Sequence, residues 1–377
     1  MGKQRLMTPG PTEVPEQSLL SMARQVTHHR TPEFRGLLAE VFAGLKHVFA
    51  TENDVLVLTS SGTGAMETAV VNTVPRGGKA IVLESGKFAE RWRKICEAYG
   101  IEVVRYEVPW GEAFAPVRVA ELLEQHPDAA AVFGTLLETS TGVGHDIEAI
   151  GRVVGPSKAL FVVDGISGVG VMECRTDAWG IDVLAVGSQK ALMTPPGLAF
   201  LAVSPAAWRQ IESIERQAFY FDLVAYRKAL KDSDTPFTPS IPLVKALAES
   251  LRAIRAVGIE AVWEKSRVLA KATRVGIEAL GLQWAASRPA DGMTAVFFPD
   301  GIDGKVFLDR LFKRFGLKLA GGQGPWKGKI FRIAHMGMVD ELDILSALAA
   351  IELVLVEMGQ DVKLGCSVAA AGRVLAE

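Results

Sequence analysis

Between Val55 and Phe200 the chain alternates short, nearly unbroken apolar runs with longer stretches whose apolar positions recur every three or four residues. The runs Val55–Leu58, Ala80–Leu83, Ala130–Phe133, Leu160–Val163, Val183–Val186 and Ala199–Val203 read as strands. Their continuity, in place of strict alternation, implies a sheet covered on both faces. Phe88–Tyr99 and Val117–Gln125 read as amphipathic helices between them. Alternating strands and helices predict a mostly parallel α/β sheet, whose ligands lie beyond the carboxyl ends of the strands. After a long helical region, Val244–Leu280, the rhythm changes to strand Met293–Phe298, helix Gly304–Phe315, a glycine-rich turn Gly321–Gly324, strand Lys329–Ile333 and helix Asp340–Glu357. This pattern predicts a smaller α+β domain. The tail after Met358 shows no assignable pattern. The division that follows is an arm over residues 1–20, a large domain over 21–250 and a small domain over 251–377.

Composition narrows the class of protein. A chain of 377 residues with 49% hydrophobic content exceeds what one core usually organises and can bury two. With 41 basic and 43 acidic residues the formal charge is −2, so neither nucleic acid nor an anionic membrane is expected as the main partner. Cys96, Cys174 and Cys366 lack metal-ligand spacing and are odd in number, which argues against a disulfide framework and for a cytoplasmic setting. The first residues run into Pro9 and Pro11 without an apolar signal core, and no later stretch reads as a membrane span.

The chemistry is carried by residues that follow strands. Lys190 lies just past one apolar run, in Gly187-Ser188-Gln189-Lys190-Ala191, and Asp164 closes the preceding one. An amine and a carboxylate in that order suit pyridoxal phosphate: the lysine forms a Schiff base with the cofactor aldehyde, and the carboxylate keeps the pyridine nitrogen protonated. Separately, Lys190 reads as a surface lysine and Asp164 as the cap of a turn. The first strand leads into Ser61-Gly62-Thr63-Gly64, where a helix N-terminus favours a phosphate. A competing reading takes Gly62-Thr63-Gly64, with Glu84 beyond the next strand, as a dinucleotide-binding unit of an oxidoreductase. Glu67 stands where that fingerprint needs its third glycine.

Taken in order, Thr8-Pro9-Gly10-Pro11-Thr12, Ser61-Gly62-Thr63-Gly64-Ala65-Met66-Glu67, Glu138-Thr139-Ser140-Thr141-Gly142, Val163-Asp164, Gly187-Ser188-Gln189-Lys190-Ala191-Leu192, Pro195-Pro196-Gly197, Gly321-Gly322-Gln323-Gly324 and Phe331-Arg332-Ile333 resemble the class V aminotransferases of fold type I. The likeness is to the alanine–glyoxylate and serine–pyruvate group and extends over nearly the whole chain. It implies an α/β fold with a mostly parallel, seven-stranded central sheet, a smaller C-terminal domain and pyridoxal 5'-phosphate as cofactor. It also implies that Lys190 carries the cofactor and shuttles the proton, while Asp164 faces the pyridine nitrogen. Ser61, Gly62, Thr63 and Gln189 would hold the phosphate, Phe88 would stack on the ring, and Ser140 would bond near the phenolic oxygen. Arg332 would take the substrate carboxylate. Phe237-Thr238-Pro239-Ser240 resembles the segment that reaches a neighbour's cofactor phosphate, so Thr238 and Ser240 are cofactor contacts and a homodimer with a shared active site is implied.

The reaction so implied passes an amino group between a small amino acid and a 2-oxo acid in two half-reactions, with ping-pong kinetics. The donor is left among serine, alanine and phosphoserine, and the acceptor among glyoxylate, pyruvate and 2-oxoglutarate. His28-His29-Arg30 raises the phosphoserine alternative, with His29 and Arg30 as a second anion site if they face the pocket, or as a polar turn before the helix near Pro32 if they do not. The subgroup with this stretch includes chains labelled as soluble hydrogenase subunits, yet no cysteine cluster suits a metal centre. A desulfurase on the same fold needs a nucleophilic cysteine on a mobile loop, for which none of the three is well placed, Cys366 in the tail being the one remaining candidate.

Overall fold

The computed structural model describes residues 4–377. All six apolar runs are strands of one seven-stranded sheet, ordered Asp54–Leu58, Ala199–Val203, Val183–Gly187, Leu160–Asp164, Ala131–Thr135, Lys79–Glu84, Glu102–Glu107. Only Ala199–Val203 runs antiparallel to its neighbours, so the sheet is mostly parallel as expected. Glu102–Glu107 is the strand that patterning misses. It lies at the sheet edge with Glu102 and Glu107 exposed, where alternate charges are tolerated and also discourage edge pairing.

Two apolar cores cover the two faces of the sheet. One takes in Leu38, Val41 and Leu45 of the helix Pro32–Phe49 and Val244, Leu247 and Leu251 of the helix Ile241–Val257. The other takes in Ala65, Met66 and Ala69 of the helix Gly62–Thr73 with Trp92 of Glu90–Ala98. The long helical region is two helices, Ile241–Val257 and Ile259–Ala279, broken at Gly258, whose φ of 89° ends the first helix. Ile259 and Trp263 still pack on the large core, whereas Leu269, Ala272 and Ile277 pack on the small one. The change of core therefore falls inside the second helix.

The small domain has a three-stranded antiparallel sheet ordered Met293–Phe297, Ile330–Ala334, Ala320–Gly321. The arm is part of this domain's core. Arg5–Leu6 pairs with Leu317–Lys318, and Met7 is fully buried there, a contribution of roughly 1.5–3 kcal/mol. The first three residues of the expected arm lie outside the described residues. The unassigned tail forms the helix Cys366–Leu375, packed on Ile259–Ala279 and Glu341–Glu357. Its start is held by the Glu352 carboxylate, which accepts from the N–H groups of Gly365 (2.6 Å) and Ser367 (2.7 Å).

Candidate active site

Parallel pairing sets Asp164 opposite Ala185, so the loop that follows Gly187 emerges beside Asp164 at the carboxyl edge of the sheet. Lys190 stands on that loop. Together with Asp164, Ser61, Gly62, Thr63, Phe88 and Gln189, it lines a cavity of about 230 Å³. Arg91, Thr139, Ile166 and Ser167 complete the wall.

Asp164 is buried, and its Oδ1 accepts from Ile166 N at 2.8 Å. Burial pushes its carboxyl up to about 7, against the pull of that hydrogen bond and of the Arg91 and Lys190 charges. Burial likewise lowers Lys190 to about 8; Asp164 opposes this, and the cations of Arg332 and Arg91 add to it. The Lys190 ammonium donates to the Pro9 carbonyl. Thr12 holds the same loop from the arm, with its N–H on Gln189 O at 3.1 Å and its hydroxyl on Lys190 O at 2.8 Å. The residues Thr8-Pro9-Gly10-Pro11-Thr12 thus lie directly over the lysine.

At the other end of the cavity, Ser61 caps the helix Gly62–Thr73, accepting from Gly64 N at 3.4 Å. The first N–H groups of a helix have no partner within it and form an anion site. A side chain at Gly62 would meet Ile166 Cδ1 at 2.6 Å, so glycine is needed for the helix to start this close to the cavity. Gln189 Oε1 is buried without a hydrogen-bond partner.

Arg332 is buried on the central strand of the small sheet, outside the cavity wall but close enough to depress Lys190. Its Nε donates to Gly321 O at 3.0 Å and its Nη1 to Thr139 O at 2.7 Å. Burial lowers its guanidinium to about 10, with Glu138 opposing.

Several of the expected site residues lie outside this cavity within the single chain. Ser140 does not line the cavity: its hydroxyl donates to Glu138 Oε1 at 2.6 Å and accepts from Lys87 N at 3.0 Å. The neighbouring Thr139 lines it instead, because the tight turn aims adjacent side chains in opposite directions. Thr238 and Ser240 also lie outside it. Thr238 is exposed, and Ser240 N donates to Thr59 Oγ1 at 2.9 Å. His29 and Arg30 are not brought to Lys190 either. Arg30 pairs with Asp234 at 2.7 Å and donates to Thr235 O at 2.8 Å, while the rings of His28 and His29 stack at 4.9 Å. Burial, Arg30 and His28 hold His29 below the ordinary histidine range. Thr31, next in sequence, caps the helix Pro32–Phe49. This stretch is the polar turn before that helix.

The competing chemistries also meet contrary geometry. Glu84, the acid of the dinucleotide reading, is buried and paired with Arg93 (2.9 Å) and Arg105 (3.0 Å). Cys96 and Cys174 are buried, and burial pushes both thiols up to about 12. Cys366 donates to Ala279 O at 3.3 Å, inside the small domain. Among the described residues no group of three or more His, Cys, Asp or Glu is placed to hold a metal ion, and no helix is long and apolar enough to cross a membrane.

Residues 12–324 match the family model of aminotransferase class-V. A protein named soluble hydrogenase, small subunit, from Synechococcus sp. (strain PCC 6716) is 42% identical over 99% of this chain and 98% of its own length. The serine–glyoxylate aminotransferase of Methylorubrum extorquens is 34% identical over 100% of this chain and 97% of its own. The crystal structure of ureidoglycine–glyoxylate aminotransferase from Bacillus subtilis superposes with a TM-score of 0.94 at 29% identity, covering 100% of this chain and 99% of that one.

Proposed function

The chain belongs to the class-V aminotransferase family, and on that premise we propose that it is a pyridoxal phosphate enzyme that passes the amino group of a small amino acid to a short 2-oxo acid. The observation that carries this reading is the convergence of Lys190 and Asp164 on one cavity that ends at an open helix N-terminus. Relatives whose names specify glyoxylate favour it as acceptor, with serine first among the donors. With Arg30 committed to Asp234, no observation favours phosphoserine.

The residues fit the cofactor. The start of the helix Gly62–Thr73 would hold its phosphate, assisted by the hydroxyls of Ser61 and Thr63 and by the side-chain NH₂ of Gln189. Phe88 would cover one face of its ring. The free oxygen of Asp164 would accept from the ring nitrogen, and a cation there would return this carboxyl to its ionised form. When bound, pyridoxal phosphate supplies an aldehyde carbon to carry the amino group and a ring to take up the electrons of the substrate Cα–H bond.

The side chains supply the rest. Lys190, with its amine lowered to about 8, is neutral in part near neutral pH and can take the proton from the Cα of the amino donor and, in the second half-reaction, deliver one to the Cα of the new amino acid. Arg332 would receive the substrate carboxylate on the guanidinium edge left after its bonds to Gly321 O and Thr139 O.

A second copy would complete the site. Phe237 stacks on Tyr220 at 5.0 Å, Phe219 beside it is 84% exposed, and Thr238 and Ser240 lie on the same strap. Tyr220 ties this strap to Thr59 at the mouth of the phosphate end. An aromatic patch of this kind suits burial against a partner, whose site Thr238 and Ser240 would reach. The test of function is transfer of label from ¹⁵N-serine to glyoxylate by protein supplied with cofactor. Labelled glycine is expected; no transfer from serine, alanine or aspartate to glyoxylate or pyruvate would contradict the reading.

A further inference from the structure

Glu138 is fully buried beside the cavity but does not line it, and nothing in the chemistry above uses it. Its carboxylate accepts four hydrogen bonds. Oε2 takes the backbone N–H groups of Phe88 (3.0 Å) and Ala89 (2.8 Å), and Oε1 takes Ser140 N (2.9 Å) and Ser140 Oγ (2.6 Å). Three of these donors are main-chain groups that cannot turn to accept. The first pair fixes the turn that presents the Phe88 ring. The second pair fixes the turn that aims the Thr139 carbonyl at Arg332 Nη1. Two further contacts brace the Phe88 loop. Lys87 N donates to Ser140 Oγ, and His145 faces Ser85 Oγ at 2.7 Å while its other ring nitrogen accepts from Phe114 N. At Gly86 any side chain would collide with Glu138 itself.

We propose that Glu138 is a positioning residue that sets the Phe88 ring and the Arg332 guanidinium at once, so that cofactor binding and substrate binding depend on a single buried carboxylate. This rests on the reading that Phe88 covers the cofactor and Arg332 receives a substrate carboxylate. The physical basis is acceptor geometry. In Glu138→Gln one oxygen becomes an NH₂ group, and whichever way the amide is turned, that group faces at least one backbone N–H. A buried donor then loses its acceptor, and the turn it held must shift to recover one.

The test is a visible-absorbance titration of cofactor into wild type and Glu138→Gln, followed by steady-state kinetics at saturating cofactor. The expected result is a rise of at least about tenfold in both the cofactor dissociation constant and the amino-acid KM, with kcat within about threefold. Because Glu138 acts through Phe88, the substitution should add less than about threefold to the cofactor constant in a Phe88→Leu background. Cofactor affinity within about twofold of wild type, or effects that multiply with Phe88→Leu, would overturn the proposal. Should Glu138→Gln not fold, hydrogen exchange in the wild-type chain decides: the amides of Phe88 and Ala89 should be strongly protected without cofactor, and unprotected rates there would overturn it. Failure of the wild type to bind cofactor would instead overturn the functional reading itself.

Discussion

Arg332 and Thr139 come from different domains, and the 2.7 Å bond from the Arg332 guanidinium to the Thr139 carbonyl joins the small-domain sheet to the wall of the cavity. This bond and the one to Gly321 O fix the plane of the guanidinium before any substrate arrives. Lysine carries no planar fork and reaches only as a point charge. Arg332→Lys should therefore raise the KM for both amino acid and oxo acid by roughly 10- to 100-fold, the loss of one charge-assisted pair. Steady-state kinetics with both substrates varied will check this; a KM unchanged for both would remove Arg332 from carboxylate binding.

The cofactor-free protein should carry a pH signature from Asp164. Its folded pKa of about 7 lies above the unfolded value of 3.8, so between these values the folded state binds the extra proton. Stability from this group is thus complete below about pH 4 and is lost as pH rises through 7. Asp164→Asn, which keeps an acceptor for Ile166 N, has no such loss. The melting temperature of Asp164→Asn relative to wild type should be near equal below about pH 4, rise progressively between pH 4 and 7, and level off by pH 8. A constant difference across that range would contradict the assigned burial.

No cysteine is placed to act as a nucleophile. Cys366→Ala and alkylation of exposed thiols should leave amino transfer within about twofold, and the protein should release no sulfide from cysteine. Sulfide production abolished by Cys366→Ala would contradict this assignment.

The break between the two long helices depends on backbone conformation alone. Gly258 has φ 89° and ψ 140°, and a side chain built there meets nothing within 4 Å. Gly258→Ala should cost about 1–3 kcal/mol through strain without altering the active site. Chemical denaturation combined with kcat/KM measures both halves of that statement.

Much of this architecture is written in the chain. The six apolar runs carry their own strand signal because both faces of the sheet are covered, and a helix cap such as Ser61 or Thr31 declares itself locally. Glu102–Glu107 was hidden because an edge strand needs no apolar face. The tail helix was hidden because Ala370 and Ala371 pack through small residues that give little periodic contrast. At the site, Lys190, Asp164 and the Ser61–Thr63 turn were legible as strand exits. The choice between Thr139 and Ser140 was not, since it turns on which of two adjacent hydroxyl side chains the turn aims inward. Arg91 and Ser167 were also missed. Arg91 lies three residues beyond Phe88, in the first turn of the helix Glu90–Ala98, a spacing that could have drawn notice, whereas Ser167 reaches the cavity only through the fold of its loop. For the basic stretch His28-His29-Arg30 the sequence left an anion site and a polar turn open, because the partner of Arg30, Asp234, lies about two hundred residues away.

The proposed function depends above all on Lys190 being the amine that carries the cofactor. Borohydride reduction of the cofactor-loaded protein, followed by peptide mass mapping, tests it directly. The pyridoxyl label is expected on Lys190 and on no other lysine. A label on another residue, or none on a protein that has bound the cofactor, would contradict it.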